Sequence, residues 1–581
     1  MENKEHLTHI RHTLAHLEAQ AVLEHYPNAH LTLGPAVDNG FYYDIDFGDT
    51  KVTDADLSKI EERMRENLPQ WTKFSHQEVS KEEALEIFKG NPYKTELIEE
   101  IASRGEKITL YTCGGFTDLC RGGHAEHPAD DIAPDSFKLD RVAGAYWRGD
   151  ENNKMLTRVY GLAFETKADL DAYIYQIEEA KKRDHRKIGR ELGLFVFSDL
   201  VGPGLPLWTP KGTIIRELLN DYVWELRRAK GYQKVCIPHI TKKELYQTSG
   251  HWAKYADDLF KIHTREDHLY AMKPMNCPHH TQIFDSEPRS YRDMPQRYAE
   301  TTMVYRDEQS GELSGLSRVL SITQDDAHVF CRENQIEEEV FAIWDIIEKF
   351  YGTFGFDLKV RFSRHDPETP EKYLGGADVW AKAENALERL MKTKGIEWMD
   401  GPGEAAFYGP KIDFISRDSI GRVLQVATIQ LDFNQPKSFG LVCTNEKGEK
   451  EQIVMIHAAI MGSIERFLST LIEHVAGQFP TWLNPVQVAV IPVKDIHADE
   501  TRKIVSSLGE NSIRTEHIDY NDSLGKRIHA AKKMNAPYIL VYGDKEKESG
   551  VLTIEKRDGN KVAMPLQDFV NHITFEIKNR S

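Results

Sequence analysis

The chain holds 581 residues, 40% hydrophobic and 29% charged, which is too apolar for a disordered or fibrous protein and suits roughly three or four packed domains. Its 74 Lys and Arg against 92 Asp and Glu leave a net charge of −18, so a uniformly basic nucleic-acid coat is excluded while a local basic surface is not. Six cysteines (Cys113, Cys120, Cys236, Cys277, Cys331, Cys443) are too few for a disulfide scaffold, no run of ~18 apolar residues exists, and the polar start Met1-Glu2-Asn3-Lys4-Glu5-His6 has no signal-peptide core. These features predict a soluble, cytoplasmic, multidomain protein with free thiols and no membrane partner.

Residues 1 to about 180 read as a helix near 8–25, alternating strands such as Phe41-Tyr-Tyr-Asp-Ile-Asp-Phe47, and Gly-rich turns. Between 165 and 190 the pattern becomes a charged helix. Six of the ten residues from 181 to 190 are Lys or Arg, which reads as a basic linker helix or simply a solvated face. Residues 191–480 are rich in aromatics, Gly and scattered His. Within 481–581, Val486–Ile491, Ile513–Ile518 and Tyr538–Tyr542 look like short buried strands between helices, predicting a small α/β domain with a largely parallel sheet.

Three constellations carry chemistry. His12-Thr-Leu-Ala-His16 puts two imidazoles on one helix face, and Asp118-Leu-Cys120-Arg-Gly-Gly-His124 adds a close Cys/His pair; together they suit one zinc, or a substrate without metal. Cys277 in Met275-Asn-Cys-Pro278, His328 in Gln324-Asp-Asp-Ala-His328 and His457 in Met455-Ile-His457 make a three-ligand zinc set with a fourth position open. Their spacing matches no local zinc motif, so from the residues alone core packing is the favoured reading. No P-loop or dinucleotide fingerprint exists; Tyr305-Arg306-Asp-Glu308, the loop running to Arg318, and Gly462-Ser463-Ile-Glu465-Arg466 supply arginines that suit a phosphate clamp or surface ion pairs.

In this order the segments resemble bacterial threonyl-tRNA synthetases, a class II aminoacyl-tRNA synthetase family. The resemblance covers nearly the whole chain through His12-x3-His16, Cys120-x3-His124, Gly144-Ala-Tyr-Trp-Arg-Gly149, Gly250-His-Trp252, Lys273-Pro-Met-Asn-Cys-Pro278, Thr323-Gln-Asp-Asp-Ala-His328, Tyr408-Gly-Pro-Lys411, Gln430-Leu-Asp-Phe433 and Ile456-His457. It implies an α+β multidomain protein: an N-terminal α+β editing domain (1–180), a basic linker helix (181–190), a class II antiparallel-sheet catalytic core (191–480) and a C-terminal α/β anticodon-binding domain (481–581).

The resemblance also implies roles. Pro238, in Val235-Cys-Ile-Pro238, matches a homodimer-interface motif. Arg306, Glu308 and Arg318 match the motif that holds the ATP α-phosphate, and Arg466 the arginine over the bent ATP tail. Gln324, Asp326, Tyr408, Lys411, Gln425, Gln430 and Ser463 match the amino-acid and adenylate pocket. Cys277, His328 and His457 match zinc ligands, with Mg²⁺ accompanying ATP. His251 matches a histidine that aids transfer to the tRNA ribose or orients it. His12, His16, Lys94, Asp118, Cys120 and His124 match a site that hydrolyses seryl-tRNA, with metal there unassigned. Asn521 and Glu546 match anticodon contacts, and Lys526, Arg527, Lys532 and Lys533 are phosphate-facing candidates.

The implied activity is ligation of L-threonine to tRNA(Thr) with ATP, with editing of seryl-tRNA(Thr). Four departures from the family pattern are expected to matter. The small ubiquitin-like N-terminal domain is missing, Gly123 stands where Pro is common, His279 stands where Gly usually follows Cys-Pro, and Glu555 replaces a basic residue, with Lys556 or Arg557 to compensate. The competing readings are a class II enzyme for proline or serine, which has no use for a hydroxyl-sensing zinc, and a silent RNA-binding regulator, which predicts loss of Arg306 or Arg466. A stand-alone metallohydrolase leaves most of the chain without purpose.

Overall fold

The computed structural model describes residues 2–418, 421–519 and 521–581. The chain divides into two compact units, one ending at Glu178 and one beginning at Glu179.

In the first unit the helix Glu2–His25 begins before the expected start near residue 8. Its middle is buried nearly all round, polar Thr13, His16 and Glu18 along with Leu14, Ala15, Leu17, Ala19, Ala21 and Val22, and the small alanines let neighbours approach closely. It lies on an antiparallel sheet ordered His30–Leu31, Gly40–Asp46, Met155–Ala163, Phe137–Tyr146. The pleat of Gly40–Asp46 sends Phe41, Tyr43 and Ile45 into the core. Its polar parity makes ion pairs instead: Asp44 takes a two-pronged bond from Arg158 (2.6 and 2.8 Å), and Asp46 pairs with Lys154 at 2.7 Å. A second antiparallel sheet, Ser75–Val79, Ile108–Cys113 and Phe116–Leu119, carries Asp118.

Glu18, on the buried helix, is 0% exposed and neither carboxylate oxygen has a partner. Burial, then the charge of Asp44, pushes its pKa well above the ordinary carboxyl value. Between the ordinary value and that raised one the unfolded chain releases a proton that the folded chain keeps, so Glu18 costs stability as pH rises. Glu18→Gln is expected to stabilise the protein by roughly 1–3 kcal/mol at pH 8, the gain fading toward pH 4, as read by chemical denaturation. An unchanged or pH-independent midpoint would contradict this.

The basic stretch is two helices. Lys167–Arg183 ends before Asp184, whose side chain accepts the Arg186 N–H and starts His185–Glu191. A solvated linker was expected there, yet His185, Ile188 and Gly189 are buried. His185 Nδ1 donates to Glu473 (2.6 Å) and Nε2 accepts the Leu316 N–H (3.0 Å).

The second unit is built on an eight-stranded sheet ordered Gln233–Lys234, Gln296–Tyr305, Ser321–Cys331, Val454–Ser463, Val423–Asp432, Lys411–Arg417, Leu358–Arg364, Trp398–Pro402. It is antiparallel except for the pairs at its two edges. Helices Pro210–Ala229, Ile336–Thr353, Ala377–Lys394 and Ile464–His474 supply apolar faces to the core on this sheet. The C-terminal sheet holds three parallel strands, Thr515–His517, Val488–Pro492 and Tyr538–Tyr542. An antiparallel hairpin, Leu552–Lys556 with Lys561–Met564, extends it, so the sheet is mixed where a largely parallel one was expected. Its turn, Arg557-Asp-Gly-Asn560, has Gly559 at φ +87°.

Candidate active site

Register gathers the central residues. His328 lies opposite His457, which on its other side lies opposite Gln430, and Gln430 lies opposite Lys411. Two bulges adjust what each strand presents. Between Gln324 and Asp326 the pairing shifts, and the odd residue, Asp325, turns into the core, where its carboxylate accepts the amides of Ile460 and Met461 (3.0 Å each) beside Arg227. Between Phe414 and Ile415 a second shift brings Gln425 Nε2 to Asp413 Oδ1 at 2.9 Å. Lys411 reaches the same carboxylate at 3.1 Å, and Arg361 at 3.0 Å.

Cys277 opens the helix Cys277–Asp285, and Sγ lies within 4.8 Å of a ring nitrogen from each of His328 and His457. All three side chains are buried. Burial, then Asp326, raises the thiol pKa, and burial keeps His328 neutral. Asp432 Oδ2 takes His457 Nε2 at 3.0 Å while its other oxygen accepts the amides of Asn434 and Gln435. Tyr408 stacks on His457 with ring centres 4.6 Å apart and donates to Gln430 Oε1. Asn276 Nδ2 donates to Asp326 Oδ2 (3.0 Å). His251 is buried beside them, Nδ1 with Ser249 Oγ (2.9 Å) and Nε2 3.7 Å from Cys277 Sγ; burial, then His457 and Arg306, brings its pKa down to about 3.

Arg306 is half-buried, its guanidinium 5.8 Å from the Tyr255 ring centre and its Nε buried with no partner. Glu308 and Arg318 pair with each other at 2.6 Å, closing the loop between them. Ser463 Oγ caps the helix Ile464–His474 by accepting the Arg466 N–H (3.1 Å), which leaves the Arg466 side chain exposed at the first turn. Gln324 Oε1 is buried without a partner.

The first unit holds a cavity of about 580 Å³ lined by His12, His16, Tyr43, Lys94, Asp118 and Cys120 among others. Asp118 is its hub: Lys94 Nζ lies at 2.5 Å, His16 Nδ1 at 3.1 Å, and Tyr43 Oη donates at 2.6 Å. Ligand atoms of His12, His16, Cys120 and His124 lie within 4.8 Å of one another. Burial opposes charge here, but opposite charges outweigh it. Lys94 and His16 hold Asp118 below the usual carboxylate range, bonds to Asp118 and Cys120 hold His16 up at about 9, and the ring of histidines brings Cys120 down to about 3. Gly123 has φ +84°, a conformation closed to proline.

Other expected site residues sit elsewhere. Arg527 is 3% exposed and spends its guanidinium on the carbonyls of Pro492, Val493 and Asp522, so it stabilises a loop and does not face a phosphate. Glu546 is buried and accepts from the Gly543 amide and the Thr553 hydroxyl. Asn521 is exposed, and Lys526 is exposed beside Asp522 (3.0 Å). Asp432, Tyr43, Asn276 and His280 are contacts that the sequence reading missed; Asp432 and Asn276 stood inside quoted motifs, two residues from Gln430 and one from Cys277. A third acidic–histidine group, Asp184, His185 and Glu473, has both His185 nitrogens already bonded and is structural.

Residues 260–475 match the tRNA synthetase class II core domain family (G, H, P, S and T), and residues 487–576 match the anticodon binding domain family. The threonine–tRNA ligase of Rubrobacter xylanophilus is 46% identical over 583 positions, covering 100% of this chain and 90% of the relative. That of Flavobacterium johnsoniae is 46% identical, covering 98% and 88%. The crystal structure of the RNA binding domain of threonyl-tRNA synthetase from Cryptosporidium parvum Iowa II aligns with a TM-score of 0.65 at 34% identity, over 68% of this chain and 98% of that one. With such relatives along its whole length, the chain belongs to the threonine–tRNA ligase family of class II aminoacyl-tRNA synthetases.

Proposed function

We propose that this chain activates L-threonine with ATP, passes the threonyl group to tRNA(Thr), and hydrolyses seryl-tRNA(Thr) made in error. The observation that supports this best is the buried Cys277, His328 and His457 set beside Gln430 and Tyr408, a donor group with no purpose for an apolar amino acid. One thiolate and two imidazoles suit tetrahedral zinc with a fourth position open, and burial and mutual distance fit it. Zinc held there would supply a Lewis-acidic anchor for the amine and hydroxyl of threonine.

In the first step the threonine carboxylate attacks the α-phosphorus of ATP and the bond to pyrophosphate breaks. The nucleophile is already an anion, so alignment and charge stabilisation carry the rate. Arg306 and Arg466, with Mg²⁺ accompanying ATP, are the groups suited to the phosphoryl oxygens. Gln324, Asp326, Tyr408, Lys411, Gln425 and Gln430 line the pocket in this reading. In the second step the terminal ribose hydroxyl attacks the carbonyl carbon, AMP leaves and the hydroxyl proton passes to its phosphate; His251, buried with Nδ1 on Ser249 and Nε2 against Met275 and Cys277, would orient that ribose through the pocket wall it holds in place.

Serine keeps the hydroxyl and lacks one methyl, worth roughly 1–3 kcal/mol, too little for faithful synthesis. The Lys94–Asp118–His16 cavity is suited to correcting that error. The labour divides among editing (1–180), linker (181–190), catalytic (191–480) and anticodon-binding (481–581) regions, with Asn521 and Lys526 toward the tRNA. A homodimer is supported by exposed apolar side chains: Val196, Phe197, Val201 and Leu200, the last 100% exposed, and Ile240, two residues after Pro238 in the chain. Among the described residues no helix is long and apolar enough to cross a membrane, and six free cysteines suit the cytoplasm.

The test is ATP–pyrophosphate exchange with threonine, serine, valine and proline, repeated after zinc is chelated and restored. Exchange with threonine, weaker with serine, absent with valine and reversibly lost without zinc is expected. Preference for proline would move the chain to another class II specificity. No exchange while tRNA still binds would make it a silent regulator.

A further inference from the structure

We propose that His280 is the positioning residue that presents His328 to the cation, through a hydrogen bond joining their Nδ1 atoms; this rests on reading Cys277, His328 and His457 as a zinc site. The two nitrogens are 2.8 Å apart, both side chains are buried, and the rings stand nearly perpendicular at 87°. His280 lies three residues after Cys277 on the helix Cys277–Asp285, so one helical turn delivers both the thiol and the imidazole that steadies its co-ligand.

Two ring nitrogens at that distance share one proton, so one donates and the other accepts. A cation takes only a nitrogen with a free lone pair. Since Nδ1 of His328 is turned to His280, Nε2 is the atom left for the cation, and Nδ1 carries the hydrogen. His328 therefore donates, His280 accepts, and the His280 proton sits on Nε2, a buried atom without another partner. The second imidazole is settled differently: His457 offers Nε2 to Asp432 at 3.0 Å, which leaves Nδ1 as its atom for the cation. One ligand is thus steadied by a carboxylate and the other by a neutral ring, and each partner fixes both tautomer and ring orientation.

The full-length protein, stripped of metal, is titrated with zinc against a chromophoric chelator. His280→Leu, which keeps bulk and removes the acceptor, is expected to bind zinc roughly 10–100-fold more weakly. His280→Asn places Oδ1 near the position of Nδ1 and is expected to bind close to wild type. Thermal unfolding of the metal-free variants reports the fold separately from affinity. If wild type takes up no zinc, or Cys277→Ser binds it unchanged, the zinc reading itself fails. If wild type binds zinc and His280→Leu binds equally well, or His280→Asn is as weak as His280→Leu, the hydrogen bond has no such role and this proposal alone is overturned. Should His280→Leu not fold, loss of affinity in a folded His280→Asn overturns it as well.

Discussion

Replacing Arg306 by alanine is expected to slow threonine-dependent ATP–pyrophosphate exchange by about 10²–10³-fold. The expectation comes from how the side chain is held. Strand Gln296–Tyr305 ends one residue earlier, the Arg306 amide donates to Leu320 O (3.0 Å), and the guanidinium lies by the Tyr255 ring, so its position is set before substrate arrives. Its Nε is buried and bonded to nothing, a state that costs free energy unless a ligand completes it. A fork of donors held ready for an anion gains most where negative charge grows, at the transferring phosphoryl. On the proposed role in the transition state, the loss should fall on the exchange rate at saturation as well as on apparent ATP affinity. Arg306→Lys should recover little, since an ammonium cannot present two parallel donors. Wild-type exchange by Arg306→Ala would remove it from the phosphate clamp.

The same physics explains what was readable beforehand. His12 and His16 were legible because a helix turns four residues into one face, and the strand at Phe41–Phe47 because alternation marks a pleat. Cys277, His328 and His457 were not legible from spacing: their meeting is made by strand register, with His328 opposite His457 across 129 residues of chain, and only the family resemblance named them. Bulges are equally silent, so nothing in Gln324-Asp-Asp326 announced that the middle carboxylate would turn inward to Ile460 and Met461. Charge misled twice. Arg527 stands in a basic helix that looked solvated, yet backbone carbonyls of a neighbouring strand end claim it, and the run 181–190 hides His185 and Ile188 among lysines and arginines. The C-terminal hairpin could have been found, since Asp558-Gly559 between two alternating segments is a turn signal.

Lys94→Ala is expected to reduce hydrolysis of seryl-tRNA(Thr) by at least about a hundredfold and also to weaken the fold, and the two effects can be separated. Lys94 is 1% exposed and its ammonium has two partners, Asp118 Oδ1 at 2.5 Å and the Tyr43 hydroxyl at 3.2 Å. Removing one member of a buried pair strands the other, at about 3–5 kcal/mol; the lower figure applies here because His16, also on Asp118, remains charged below about pH 9. Replacing both members removes the stranded carboxylate, but Asp118 also holds His16 and the Tyr43 hydroxyl, so Lys94→Ala with Asp118→Ala should regain only part of the stability lost in Lys94→Ala. It should regain no hydrolysis, because the cavity would then lack both the cation and the carboxylate that orients His16. Urea unfolding and deacylation of seryl-tRNA(Thr), measured on full-length wild type, Lys94→Ala, Asp118→Ala and the double variant, decide the matter. Hydrolysis that returns together with stability in the double variant would mean that Lys94 only supports the fold, and the chemistry would then rest with His12, His16 and Cys120.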